Sequence, residues 1–207
     1  SSDNAIRDSF RATSQHNTLT LDGATIADGK MLGTFKKSAQ TDVYDMVHTS
    51  NQSYGALRHE RAVFRIKDGF FVVVDFAIGS AQGSVELNWH FCPGDVVFSK
   101  GADSYSCRTD FADGNDMLFE TFCFSGTSLT SDFTAKTGTS YTSNAIGARQ
   151  QRSCCTIAAQ KTTNPIRFIT VIHPFAAASD IPEISARFNT ASKMTVTVDG
   201  EEYLLLL

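Results

Sequence analysis

The sequence predicts an all-β protein, an antiparallel β-sandwich of two large twisted sheets with little helix. Three observations carry that expectation. Apolar residues recur with period two along most of the chain, Asp-Gly and Pro-Gly dipeptides punctuate the runs, and the 3.6-residue helical period is almost absent. About a dozen strands are expected, and that many need two sheets to bury their inner faces.

The clearest element is a hairpin over Arg61 to Ile78. Asp68-Gly69 separates two runs of Val, Phe and Ile, and Asp-Gly favours the two-residue type I′ turn. A two-residue turn sets Ile66 opposite Phe71, Phe64 opposite Val73 and Ala62 opposite Asp75. It leaves Asp75 in an apolar row, a costly place for a bare carboxylate.

Val85 to Phe91 follows, with Val85, Leu87, Trp89 and Phe91 on one face and Glu86, Asn88 and His90 on the other. Cys92-Pro93-Gly94 ends it. Val96 to Phe98, Tyr105 to Arg108, Met117 to Phe124 and Thr156 to Ala159 read as further strands. The continuous apolar core of Ile166 to His173 predicts burial on both faces. The chain closes with a second hairpin, Met194 to Val198 and Tyr203 to Leu207 around Asp199-Gly200. Glu183 to Phe188, after Pro182, reads as one short helical turn. The Ser-, Thr- and Gly-rich stretch Gly126 to Gly147 reads as a long loop. No internal repeat or domain boundary interrupts residues 1–207, which are read as a single β-sandwich domain.

Composition narrows the function classes. Lys and Arg number 18 against 22 Asp and Glu, a formal net charge of -4, and no basic stripe appears, which argues against a nucleic-acid partner. The longest apolar stretches are far shorter than the roughly 20 residues of a membrane span. Ser1-Ser2-Asp3-Asn4 has neither the basic nor the apolar region of a signal peptide. Five cysteines (Cys92, Cys107, Cys123, Cys154, Cys155) cannot all pair within one chain and contain no C-x-x-C. They read as buried or half-buried thiols, with one disulfide the less favoured alternative.

The chemistry-bearing residues are few. There is no nucleophile elbow, Walker loop, H-E-x-x-H or dinucleotide fingerprint. The histidines His16, His48, His59, His90 and His173 have no compact zinc spacing. His59 belongs with Arg58, Glu60 and Arg61, a cluster that reads either as a solvated ion-pair patch or as a site for an anionic ligand, since Arg61 can fork onto a carboxylate or sulfate. A His59–Asp75 dyad is suggested by type and opposed by parity, because the two-residue turn gives Asp75 the face of Ala62 and Phe64, and the favoured reading of Asp75 is a carboxylate accepting backbone N–H bonds at the strand end. Tyr44, Tyr54, Tyr105 and Tyr141 are candidates for a sugar platform. The sharpest local feature is His16-Asn17-Thr18, which follows Arg11-Ala12-Thr13-Ser14 and leads into Leu19-Thr20-Leu21-Asp22-Gly23.

Arg7 to Gly23, carrying Arg11, Thr13-Ser14 and His16-Asn17-Thr18, resembles the opening of the C-terminal region of heparinase II/III-like polysaccharide lyases. Tyr54 with Leu57 to Arg61, Phe70 to Asp75, Trp89-His90-Phe91 with Pro93-Gly94, and Ile166 to Pro174 resemble later segments of that family in the same order. The resemblance implies the C-terminal β-sandwich of a larger protein whose upstream α/α-toroid supplies most of the catalytic group. It implies an acidic polysaccharide as partner, β-elimination of uronate-containing chains in an interdomain cleft, and a periplasmic or secreted setting. It implies zinc in some parent proteins, with His16 as one ligand and no tight binding to this chain alone. No complete catalytic set lies in the chain, so it is expected to be inactive alone. Arg11, Asn17, Tyr54, Arg58, His59 and Arg61 are the expected substrate or interdomain contacts. The alternative is a non-catalytic carbohydrate-binding or structural module.

Overall fold

The computed structural model describes residues 2–27, 32–145, 148–176 and 180–207. Helix α1 (Ser2–Arg11) and a 3-10 turn (Thr13–Gln15) open the described chain. The strands are β1 (Leu19–Leu21), β2 (Gly33–Gln40), β3 (Tyr44–Tyr54), β4 (Leu57–Ile66), β5 (Phe71–Gly79), β6 (Gly83–His90), β7 (Asp95–Lys100) and β8 (Ser104–Asp110). They continue with β9 (Asp116–Ser125), β10 (Ser128–Leu129), β11 (Thr134–Thr142), β12 (Gln150–Lys161), β13 (Ile166–Phe175), β14 (Ile184–Thr190), β15 (Lys193–Val198) and β16 (Glu201–Leu206). Every pairing is antiparallel.

The all-β antiparallel sandwich is therefore what forms, and it has a third layer. A central nine-stranded sheet runs β2-β3-β4-β5-β13-β9-β8-β7, with β10 beside β9. One of its faces packs through Phe64, Val72, Phe124 and Ile169 onto Phe188, Met194 and Val196 of the C-terminal sheet β14-β15-β16. The other packs through Ala77, Cys107, Ile166 and Phe168 onto Leu87, Trp89, Cys155 and Ile157 of the sheet β1-β6-β12-β11. Burial on both faces is why Ile166 to Val171 is apolar or sealed at every position.

The two Asp-Gly hairpins differ. At Asp199-Gly200, Val198 pairs with Glu201 and both turn residues have positive φ (49° and 86°), the expected two-residue turn. At Asp68-Gly69 the Ile66 amide donates to the Phe70 carbonyl (2.8 Å), and the Gly69 amide donates to the Ile66 carbonyl (3.1 Å). The loop is thus Lys67-Asp68-Gly69, with Gly69 at φ 104° as the bulge residue. Arg65 lies opposite Phe71, Phe64 opposite Val72 and Arg61 opposite Asp75. The two-residue register is corrected by one position. Side-chain pairing explains the choice: the observed register matches Ala62 with Val74 and Arg61 with Asp75, whereas the expected one sets a carboxylate against a methyl.

Two other expectations are corrected. Glu183 to Phe188 is not a helical turn; β14 runs through it, placing Ala186 and Phe188 inward against Val196 and Met194. The described part of Gly126 to Gly147 is not all loop, because β10 and β11 lie within it; Gly147 lies outside the described residues. The Thr- and Ser-rich β11 is an edge strand with one fully buried residue, Ser140, so its composition resembles a loop. Helix α1 is not signalled by the sequence, because only Ile6 and Phe10 give its period a large apolar component.

Candidate functional site

The His16 segment crosses the sheet that carries β6 and β12, and its backbone is clamped on both sides of the histidine. His90 Nε2 lies 2.8 Å from the Ser14 carbonyl, Arg152 Nη2 donates to the Gln15 carbonyl (3.2 Å), and Arg61 Nη1 donates to the Asn17 carbonyl (2.6 Å). The Thr18 carbonyl receives both the Asn88 amide (3.0 Å) and Asn88 Nδ2 (3.3 Å). Asn17 Oδ1 in turn accepts the His90 amide (2.7 Å). Four carbonyls around one residue are thus held by donors from β4, β6 and β12. His16 itself is exposed.

The polar face of β6 is therefore not a solvent face. Asn88 and His90 are buried under the segment they hold. A carbonyl only accepts, so His90 carries its proton on Nε2. Its Nδ1 meets the Ser140 hydroxyl at 2.8 Å, and that hydroxyl also receives Arg152 Nε (3.1 Å). Burial, opposed by the Ser14 bond and assisted by the charges of Arg152 and His16, holds the His90 pKa below its ordinary value. It is a neutral strut.

Beneath Asn17 lies the register-dependent pair. Asp75 is fully buried, and Arg61 forks onto it, with Nε 2.7 Å from Oδ1 and Nη2 3.1 Å from Oδ2. His59 Nε2 lies 2.6 Å from the same Oδ1. Burial alone raises the carboxyl pKa. The charge of Arg61 and the His59 contact outweigh it and hold Asp75 below the usual carboxylate range. The Trp89 ring sits under the Arg61 guanidinium at 5.7 Å. The His59–Asp75 contact that parity opposed is present because the bulged turn restores the shared face.

The remaining predicted site residues are dispersed. Tyr54 is half-buried and its hydroxyl donates to the Ala24 carbonyl (3.1 Å) behind β1; burial pushes its pKa up to about 12. Arg58 lies on the opposite face of β4, donating to Glu60 Oε1 (2.8 Å) beside Lys36, while Glu60 Oε2 meets His48 Nε2 (3.0 Å). Arg11, at the end of α1, is exposed. Of the four tyrosines, Tyr44 and Tyr105 are core residues, and Tyr141 is exposed under the Arg149 guanidinium.

Residues 1–153 match the family model described as heparinase II/III-like, C-terminal. The chain belongs to this family. It is 34% identical to a heparin-sulfate lyase of Bacteroides thetaiotaomicron over 98% of this chain and 29% of that protein. It is 28% identical to a heparin-sulfate lyase of Pedobacter heparinus over 98% of this chain and 30% of that one. The crystal structure of heparinase III superposes with a TM-score of 0.85 at 31% identity, over 99% of this chain and 31% of that one. That of the heparan sulfate lyase from Pedobacter heparinus gives 0.83 at 25%, over 99% and 32%. The chain thus matches the C-terminal domain of heparinase III-type polysaccharide lyases and spans about 30% of the length of the relatives it matches.

Within this heparinase-type domain, the residues that sequence reasoning missed are the clamps Asn88, His90 and Arg152. An Asn-x-His pair on the polar side of an otherwise apolar strand is the signal that could have found two of them. Among the described residues no group of three or more His, Cys, Asp and Glu is placed to hold a metal ion. His90, the imidazole whose pKa is affected by His16, has both ring nitrogens engaged. The described donors do not make a zinc site around His16.

Proposed function

We propose that this domain forms one wall of a cleft shared with another part of a larger lyase, where acidic, uronate-containing polysaccharide undergoes β-elimination. His16 is the group the domain contributes. The observation that carries this reading is the exposed imidazole set on a backbone whose flanking carbonyls are pinned by His90, Arg152, Arg61 and Asn88. Proton transfer and charge stabilisation both require a group held in place before substrate arrives. The names of the relatives support a heparin-type sulfated polymer as the substrate class.

In this reading His59 and Arg61 are positioning residues, since their donors serve Asp75 and Asn17 inside the fold. Arg11 and Arg58 are the predicted contacts with exposed cations, suited to a carboxylate, a sulfate or the face of the upstream α/α-toroid. A zinc ion at His16 would need its other ligands from outside the described residues. One exposed imidazole does not abstract the C5 proton, neutralise the uronate and protonate the leaving oxygen together, so the chain alone is expected to be inactive.

The test uses the lyase that contains this domain, heparan sulfate, and the ultraviolet absorbance of unsaturated uronate ends. His16→Ala lowers turnover by about 10²–10⁴-fold. As an exposed substitution it changes stability by no more than about 0.5 kcal/mol. Unchanged turnover overturns the proposal.

A further inference from the structure

Two of the five thiols meet inside the core. Cys107 on β8 of the central sheet and Cys155 on β12 of the facing sheet are 0% and 1% exposed, and their Sγ atoms are 3.3 Å apart. They come from strands 48 positions apart in sequence and from opposite sides of one hydrophobic layer. No other cysteine pair among the described residues makes such a contact. Cys154, next to Cys155, alternates to the other face of its sheet, where its sulfur lies near Gly138 and Ser140. Cys123 is buried elsewhere in the same layer, and Cys92 is exposed.

We propose that Cys107 and Cys155 are an oxidation site that takes a disulfide oxidant of the glutathione class, forming a bond that ties the central sheet to the sheet carrying the His16 segment. A disulfide needs the sulfurs at about 2.05 Å, so the pair must close by a little over 1 Å, within reach of χ1 adjustment. The thiolate of one cysteine attacks the disulfide sulfur of oxidised glutathione and expels one glutathione thiolate. The second cysteine attacks the resulting mixed disulfide and expels the other. Both cysteine protons pass to the departing glutathiones. The protein loses two electrons and glutathione disulfide gains them.

Timing follows from burial. In the finished fold the pair is sealed from solvent, and the Cys155 contact together with burial raises the Cys107 pKa, which disfavours that thiolate in the native state. The bond therefore forms while the two sheets close and is afterwards protected by them. This inference is independent of the lyase reading above.

The experiment folds the full chain once in a mixture of reduced and oxidised glutathione and once in dithiothreitol. Each sample is then unfolded in an alkylating reagent, digested and mapped by mass spectrometry. The expected result is one peptide pair joined through Cys107 and Cys155, two hydrogens lighter than its parts and unalkylated at both positions, found only after oxidative folding. The oxidised protein has a higher Tm, and dithiothreitol removes the link only when denaturant is added. A variant carrying Cys92→Ser and Cys154→Ser keeps the link, which guards against misfolding of a Cys107 or Cys155 variant. Alkylation of both Cys107 and Cys155 after oxidative folding, or a link made through another cysteine, overturns the proposal.

Discussion

Arg61 on β4 lies directly across from Asp75 on β5 and grips its carboxylate with a fork while passing its third nitrogen to the Asn17 carbonyl. This one guanidinium joins the buried floor of the central sheet to the backbone beside His16. The relationship exists because the hairpin carries a three-residue loop. A two-residue loop would turn Asp75 to the opposite face and leave the His16 segment without its support.

Asp75→Asn tests that link. The amide keeps the shape but leaves Arg61 and His59 facing a neutral group in a sealed site, and the loss of stability is expected to be about 3 kcal/mol or more. Urea unfolding at neutral pH measures it. The sign with pH follows from a folded pKa below the unfolded value. The stabilisation is present above the ordinary carboxylate range and is lost as pH falls through the lower folded pKa. Asp75→Asn therefore removes part of the acid sensitivity below about pH 4.

His90 gives a second pH signature. Its folded pKa is lowered, so as pH falls below about 6.5 the unfolded chain takes up a proton that the native strut refuses. Stability drops from neutral pH downward until the folded value is reached, and His48, buried against Glu60, contributes in the same direction. In His90→Gln this part of the slope disappears. Unfolding midpoints at several pH values between 7 and 5 read the difference.

Gly79 is a position where only glycine fits. Its φ is 116°, and a Cβ there would stand 2.1 Å from the Ala56 carbonyl oxygen, a backbone atom that cannot swing aside. Gly79 also pairs with Leu57, and its carbonyl accepts the ammonium of buried Lys161 (2.8 Å). Gly79→Ala is expected to cost about 3 kcal/mol, combining strain with the displaced strand end. Thermal unfolding checks it.

Arg167 predicts the opposite sign. Its guanidinium lies over the rings of Phe76 and Phe188, and its buried Nε and Nη1 have no hydrogen-bond partner among the described residues. Burial lowers its pKa. Arg167→Met keeps the aliphatic volume and removes the stranded charge. The stacking it forfeits is worth about 1–2 kcal/mol, less than the penalty it relieves. The variant is expected to gain about 1 kcal/mol in urea, with an unchanged m-value.

Much of the fold was legible locally. Alternation located most of the core strands, and Asp199-Gly200 behaved as its dipeptide suggests, because neither needs a distant partner to take effect. Strand β14 and edge strand β11 were not legible from their composition. Ala186 and Phe188 become a strand because Met194 and Val196 stand beside them, and Thr134–Thr142 because β12 offers a free edge. At the candidate site, the prominence of His16 was visible in the motif. Its clamps were not, since Asn88, His90 and Arg152 lie between 70 and 137 positions away from the carbonyls they hold.

By itself the sequence determined the class of the fold and the family, because period, turn chemistry and motif are properties of neighbours along the chain. Only the tertiary structure decided which face Asp75 occupies, since an Asp-Gly turn admits loops of two or three residues. Arg61 opposite Asp75, and apolar pairs on the other face, selected the longer loop. The same long-range pairing decided that His59 and Arg61 face inward as supports while His16 stays exposed, because a buried carboxylate claims the nearest donors before solvent or substrate can.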